Sequence, residues 1–453
     1  MKLPWVKWAS ILLLALNACS GGCGGGSVAT PSAALDPLTL SLPQSGLSAA
    51  QLGVIVATGD PLSESVAAYY QSQRGVPAAN IIHVNVSTAS DAISDSDFAA
   101  LKAQVDAQLP SGVQATLLTW SAPSRVSGNS CSMGITSAMA FGYDPQYCAT
   151  SCVPTTASPY FDAESHAPFT DFGVRPSMML GASSVAAAQA LINLGASADG
   201  TLPSGTGYLI RTTDVARSVR YPDYIGLPAL WAGNSGLALN YIDNSNGTSG
   251  GDSISNQTGV LFYFTGLVSV PGLSTNNYLP GAIGDSLTSY GGLLPSGNGQ
   301  MPITAWLNAG LTGSYGTVEE PCAFPEKFSK ASVLIDHYYR GDTLIEAYWK
   351  AVKWPGQGLF IGEPLARPFA DSPSFSVVGS HYQISTRGLR ANANYSLQYL
   401  SNGNWTTLAS YNITRAQPET LTAPLAPPSA TQLRWQGPCP NDITQQCTLA
   451  SSN

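Results

Sequence analysis

The run Gly259-Val-Leu-Phe-Tyr-Phe-Thr-Gly266 decides how the chain is read. Six consecutive apolar or β-favouring residues between two glycines describe a strand buried on both faces, with a sharp turn at its end. The same pattern continues through residues 258–369. Leu279-Pro-Gly-Ala-Ile-Gly-Asp-Ser-Leu-Thr-Ser-Tyr-Gly-Gly292 reads as a short strand and a loop of small residues. Residues 301–309 carry apolar side chains at helical spacing, and Gly310-Leu-Thr-Gly-Ser-Tyr-Gly316 gives another buried strand. Residues 333–352 read as an amphipathic helix interrupted at Gly341-Asp342, and Leu359-Phe-Ile-Gly-Glu-Pro-Leu-Ala-Arg-Pro368 closes the region.

Upstream, the pattern alternates in the same way. Strands are expected at 51–58, 80–86, 115–120 and 207–212, with helices at 63–73, 94–109 and 182–194. Buried strands alternating with helices imply a mainly parallel α/β sheet with helices on both faces. In such sheets ligands bind where loops leave the carboxyl ends of the strands. After Phe369 the pattern changes to period two. Residues 374–378, 381–385, 393–400 and 405–414 read as strands of a small all-β sandwich. The domain plan is therefore an α/β body at 49–370 and a β-module with its tail at 371–453.

Composition narrows the class. The chain has 453 residues, of which 10% are charged and 44% hydrophobic, with a formal net charge of −8. That content fills a core, and the negative balance argues against nucleic acid as a partner. At the start, Lys2 and Lys7 precede Ile11-Leu-Leu-Leu-Ala-Leu16 and then Asn17-Ala18-Cys19. A basic start, a short apolar run and small residues before Cys describe a lipoprotein-type signal peptide over 1–19, with lipidation at Cys19. Residues 20–48, rich in Gly, Ser, Ala and Pro, read as a flexible tether. The expected localisation is the cell envelope, through a lipid anchor in the periplasm or outer membrane, or secretion. The membrane is then a partner, and other envelope proteins are candidates.

Cys131, Cys148, Cys152, Cys322, Cys439 and Cys447 are disulfide candidates in an oxidising compartment. Cys439 and Cys447 can close a short loop, whereas the first three leave one over unless Cys322 pairs with it. Neither the cysteines nor the four histidines show metal-ligand spacing, so no metal or cofactor is expected. His83, His166 and His381 read as surface or satisfied core residues. Tyr338, Tyr339, Tyr348 and Trp349 read as core or interface contacts.

Two resemblances rest on particular motifs. Tyr69-Tyr-Gln-Ser-Gln-Arg-Gly-Val-Pro77, Gly207-Tyr-Leu-Ile-Arg-Thr-Thr-Asp214, Gly313-Ser-Tyr-Gly-Thr-Val-Glu-Glu-Pro321, Thr343-Leu-Ile-Glu-Ala-Tyr-Trp349 and Gly362-Glu-Pro-Leu-Ala-Arg-Pro368 resemble an uncharacterised family of exported bacterial proteins. That family occurs in genomes carrying the exosortase sorting system, although this chain lacks the Pro-Glu-Pro sorting tail. The order of elements over 52–369 is also similar to gingipain-type cysteine peptidases, which implies a caspase-like α/β fold. Those peptidases place a catalytic His in Tyr-x-Gly-His-Gly at a strand end and a Cys after the next strand. Here Tyr263-Phe-Thr-Gly-Leu267 has Leu at the His position, and Ala282-Ile-Gly-Asp-Ser-Leu-Thr-Ser289 has no Cys. The resemblance thus implies the fold without the peptidase chemistry.

Other catalytic candidates remain. Cys322, with His337 fifteen residues on, is one nucleophile and base pair, although acidic Glu319 and Glu320 would raise its pKa. Asp60, Asp285, Glu319 and Glu320 follow expected strands and could converge as acid and base or hold a hard cation. Against this, Asp60 and Asp285 can simply cap the next helices. Ser289 reads as turn chemistry, and Arg211, Arg217 and Arg220 as a solvated basic face or an acid-binding cluster. The reading is an exported envelope protein, a catalytically degenerate peptidase-like body acting by binding. The alternative is a hydrolase using Cys322/His337 or the strand-end carboxylates.

Overall fold

The computed structural model describes residues 38–234, 236–248 and 251–449. The signal peptide, Cys19 and most of the tether lie outside the described residues. The described residues from Thr39 onward form one compact unit.

In chain order, β1 (Leu52–Ala57) leads through α1 (Pro61–Arg74) to β2 (Ile81–Val84), and β3 (Ala92–Ser94) through α2 (Asp95–Gln108) to β4 (Ala115–Leu118). β5 (Arg125–Ser127) pairs with β3, and β6 (Ser132–Gly134) with β5, in a small side sheet. Then come α3 (Ile135–Phe141), α4 (Pro168–Phe172), β7 (Ser177–Met179), α5 (Val185–Ala198) and β8 (Gly205–Arg211). α6 (Tyr221–Tyr224), α7 (Leu227–Trp231), β9 (Leu237–Asp243), β10 (Val260–Thr265) and β11 (Tyr278–Ser286) follow. α8 (Thr304–Asn308), β12 (Gly313–Thr317), α9 (Ala331–Tyr339), α10 (Leu344–Ala351) and β13 (Gly358–Gly362) complete the body.

Ten of these strands form one sheet in the order β2-β1-β4-β7-β13-β12-β11-β10-β8-β9. Within it only β12 and β13 pair antiparallel. The mainly parallel α/β sheet read from the apolar runs is present, and alternation along each strand divides its core. Val54, Val56, Leu117, Met178 and Phe360 face α1, α5, α9 and α10. Ile55, Leu118, Met179 and Ile361 face α2 and α3 on the other side. Farther along that second side, Tyr263 and Ala282 pack on Trp306 of α8. Every residue of β10 is buried, and each large side chain there contributes about 1.5–3 kcal/mol by leaving water.

Local chemistry sets the helix ends. The Asp60 carboxylate caps α1, accepting from the Ser63 N–H at 2.8 Å. The expected helix at 333–352 is two, because Gly341 takes φ +106° and a Cβ there would meet Asp371 N at 3.0 Å. Thr343 and Glu346 then form a capping box that restarts α10.

The C-terminal module is the expected sandwich. β14 (Ser374–Val378), β15 (His381–Thr386) and β18 (Glu419–Pro424) form one antiparallel sheet. β16 (Ala393–Ser401), β17 (Asn404–Ile413), β19 (Gln432–Cys439) and β20 (Asp442–Leu449) form the other. Ile384 and Ala423 from the first sheet share a core with Leu397, Ile413 and Trp435 from the second. The short strands β3, β5, β6 and β7, together with β9 and the last three strands, are missing from the sequence reading. β20 is exposed along most of its length, so it carries no alternation to detect.

One correction concerns residues 39–48, which were expected to be free tether. Leu42 joins the module core, Leu47 joins the body core, and Leu47 N–H donates to Glu346 Oε2 at 2.8 Å. Arg367 Nη1 donates to the Ser45 carbonyl at 2.8 Å. Two leucines and side-chain partners for the backbone suffice to dock a segment whose composition reads as linker.

Candidate functional site

The sheet has a point where the connection order reverses: β9 lies on one side of β8 and β10 on the other. Loops leaving the carboxyl ends of β8 and β10 therefore part there and open a crevice. The loop after β8 carries Arg217 and Arg220; the loop after β10 begins at Gly266. Thr212 ties them, donating to the Gly266 carbonyl at 2.8 Å while bonding Ser218 Oγ at 2.7 Å. Only glycine fits at 266, since a Cβ would stand 1.9 Å from the Arg217 carbonyl oxygen.

Arg220 is the centre of this edge. It is 4% exposed. Its Nη2 donates to the Thr265 carbonyl at 2.7 Å and its Nη1 to Asp285 Oδ1 at 2.6 Å. Ser329 Oγ donates to the other Asp285 oxygen at 2.5 Å and lies 3.1 Å from Arg220 Nη1. Burial pushes the Asp285 carboxyl above the ordinary range, against the pull of Arg220 and Ser329. Arg220 Nε has no hydrogen-bond partner among the described residues. Beside it opens a cavity of about 340 Å³ walled by Phe161, Val219, Pro222 and Phe328, with Lys330 and Lys353 on its lining.

The expected catalytic positions are closed. Leu267 N–H donates to Ser286 Oγ at 2.9 Å, and that hydroxyl donates back to the Leu267 carbonyl at 2.9 Å. Ser289 offers its carbonyl to Thr317 Oγ1 at 2.9 Å, in keeping with turn chemistry.

Cys322 and His337 do not form a catalytic pair. Cys322 is disulfide-bonded to Cys152, which removes the thiolate that nucleophilic attack requires. His337 is fully buried between two carboxylates, Nε2 lying 3.2 Å from Asp162 Oδ1 and Nδ1 3.1 Å from Asp342 Oδ2. Cys131–Cys148 and Cys439–Cys447 are the other bridges. All six described cysteines are therefore oxidised.

Nor do the strand-end carboxylates act together. Asp60 caps α1 and accepts from Thr88 Oγ1 at 2.7 Å. Asp285 lies inside β11 rather than after it, and pairs with Arg220 instead of capping a helix. Glu320 accepts from the Cys322 N–H at 2.8 Å. The arginines are not a solvated face either. Arg211 pairs with Asp243 at 3.1 Å, Arg217 with Asp214 at 2.8 Å, and Arg220 is interior.

Two buried features escape sequence reading. The first is an ion-pair network between the body and the module. Asp342 Oδ2 is 2.7 Å from Lys350 Nζ, and His166 Nδ1 is 2.9 Å from Glu346 Oε1. Arg340 bridges to Glu164, and Arg390 of the module reaches both Glu164 and Asp162 at 2.7–2.8 Å. His166, Asp342 and Glu346 bring three ligand-type atoms within 4.8 Å. Lys350 and His337 already occupy Asp342, so Coulomb repulsion disfavours a metal cation there. The surviving signal in sequence is Asp342, just before α10, with Glu346 and Lys350 inside that otherwise apolar helix.

The second feature is Lys327, fully buried with no hydrogen-bond partner for Nζ among the described residues. Burial pulls its pKa down to about 8, opposed by Glu320 and Glu319. The unfolded chain therefore holds more protons than the folded one from that value up to about 10.4, and stability rises with pH across the window. Lys327→Met should remove this slope and stabilise the protein at pH 7 by roughly 1–3 kcal/mol. Urea denaturation of both proteins at neutral and alkaline pH measures it; equal stabilities at pH 7 would refute the unpaired charge.

No family profile matches this chain, and no curated protein matches it in sequence. A solved structure titled "Structure of Protease" is similar at 11% identity and a TM-score of 0.36, covering 90% of this chain and 98% of that one. At that TM-score the likeness assigns no activity. Among the described residues no helix is long and apolar enough to cross a membrane.

Proposed function

We propose that this is an exported, lipid-anchored envelope protein whose peptidase-like, caspase-type body has lost catalysis and acts by binding. One observation carries the reading: every described cysteine is in a disulfide, while Leu267 and Ser286 satisfy each other where base and nucleophile would stand. Three disulfides also favour an oxidising compartment. The membrane, through Cys19, is the proposed partner, and other envelope proteins are the proposed ligands. Full-length oxidised protein should take no label from a cysteine-directed acyloxymethyl ketone probe and should release no amine from a fluorogenic peptide panel. Labelling at any of the six described cysteines would overturn the loss of catalysis. Incorporation of an alkyne fatty acid that disappears in Cys19→Ser tests the anchor separately.

A further inference from the structure

We propose that the Cys152–Cys322 bridge is a site of thiol–disulfide exchange with a dithiol, and that opening it uncovers the buried amine of Lys327. The device goes beyond the binding reading and does not rest on it. Access is the first argument. Exchange needs an incoming thiolate to reach one of the two sulfurs, so exposure selects among bridges. Of the six described cysteines only Cys152 is exposed. Its whole loop, residues 150–154, is exposed and carries no charged residue. Cys131 and Cys148, by contrast, are buried in the core on the α2 and α3 side of the sheet. Cys439 is also buried, and its bridge to Cys447 joins two strands that the β19–β20 ladder already holds together.

The turn that the bridge fastens is the second. Residues 319–323 follow β12, and among the described residues a single hydrogen bond ties them to a distant part of the chain. It runs from Gln357 Nε2 to the Glu320 carbonyl at 3.1 Å. The bond from the Cys322 N–H to Glu320 Oε1 lies within the turn. Cys322 and Ala323 both hold positive φ, a conformation that relaxes once the surroundings release it. A turn secured mainly by one sulfur can open locally while the sheet stays intact.

The third is what lies under the turn. Lys327 is fully buried, and its Nζ has no hydrogen-bond partner among the described residues. The groups that face it come from the same stretch of chain. Glu320 and Glu319 act on its charge, and the Phe324 ring centre is 5.4 Å from Nζ. Lifting the turn would give this ammonium the water that burial denies it, which favours the open form once the bridge is cut.

The step balances. A thiolate of the dithiol attacks Cys152 Sγ, the S–S bond breaks, and Cys322 leaves as a thiolate that takes up a proton. The second thiol of the reagent then displaces Cys152 from the mixed disulfide. Two electrons and two protons pass from the dithiol to the bridge, leaving two protein thiols and an oxidised reagent. Glu319 and Glu320 disfavour a thiolate at Cys322, so the opened bridge is slow to close again.

The test exposes the full-length oxidised protein to graded dithiothreitol, traps free thiols with iodoacetamide, and then acetylates amines with sulfosuccinimidyl acetate before peptide mass mapping. Cys152 and Cys322 should be alkylated at about tenfold less dithiothreitol than the other four described cysteines. Acetylation of Lys327 should rise about tenfold in the same samples, as local opening exposes it. Lys330 and Lys353, both exposed, should be acetylated throughout. Lys350, buried against Asp342, should stay unlabelled and so separates local opening from unfolding. Cys152→Ser with Cys322→Ser should acetylate at Lys327 without reductant; if that variant does not fold, the trapped parent protein carries the test. Three outcomes overturn the inference: Cys131–Cys148 or Cys439–Cys447 opening first or together with this bridge, Lys327 unlabelled after both cysteines are alkylated, or Lys350 labelled in step with Lys327.

Discussion

Asp342→Ala is expected to cost the folded protein about 3–5 kcal/mol, because it breaks a buried ion-pair network from its centre. Asp342 is 1% exposed and faces Lys350, His337 and His166 at 2.7, 3.1 and 3.5 Å. Removing it leaves the Lys350 ammonium and the His337 ring in the interior without their shared counterion. Burial alone would raise the Asp342 pKa, but Lys350 and the two histidines hold it well below the carboxylate range. Asp162 and Glu164 are also held low, by His337 and Arg390 in one case and by Arg340, His337 and Arg390 in the other. His337 is shifted upward: burial, Lys350 and Arg340 oppose its charge, and hydrogen bonds to Asp162 and Asp342 outweigh them.

The signs give a window. Carboxylates with depressed values contribute stability above about pH 4 and lose it as pH falls through their folded values. A histidine with a raised value contributes fully below about pH 6.5 and loses its share as pH rises through its folded value. Stability from this network should therefore peak between those limits and decline on both sides. Chemical denaturation across pH 3–9 measures the profile. Asp342→Ala should flatten both limbs, and a loss under about 1 kcal/mol would mean that water already reaches the network.

Removing the Cys152–Cys322 bridge is the second large effect. It closes a loop spanning 170 residues, and the chain-entropy model gives about 5 kcal/mol for that length, with measured losses commonly about 2–5 kcal/mol. Cys152→Ser with Cys322→Ser should therefore lower the urea midpoint strongly. Cys322 and the following Ala323 both sit at positive φ, 58° and 55°, conformations that non-glycine residues hold only with support from their surroundings. The bridge supplies that support, together with the Glu320 carboxylate on the Cys322 N–H. A double variant as stable as the parent would show that the bridge is dispensable. The bridge also takes Cys322 out of the alternative site, since a sulfur held in a disulfide to Cys152 has no thiolate to attack with.

The charged residues expected to act at the strand ends take other places in the folded chain. Asp285 was singled out as an acid or a cap, and Arg220 as part of a solvated face. Their pairing 65 residues apart depends on β8, β10 and β11 lying side by side, which no local pattern encodes. Asp60 was legible as a cap because its partner is three residues away. The docked 39–48 segment was not, because Leu47 finds its partner Glu346 after 299 residues.

What the sequence by itself determined is whatever repeats at short range. Period-two and period-3.6 burial, the Gly341 break and the change to all-β after Phe369 each arise within a dozen residues. Tertiary structure alone decided the strand order, the reversal point between β8 and β10, and the Asp342 network. It also buried the Arg220 guanidinium with its Nε unpartnered among the described residues. Apolar side chains need only a face, and any apolar neighbour serves them. A buried charge needs one particular partner at hydrogen-bond distance, and only the folded chain specifies which.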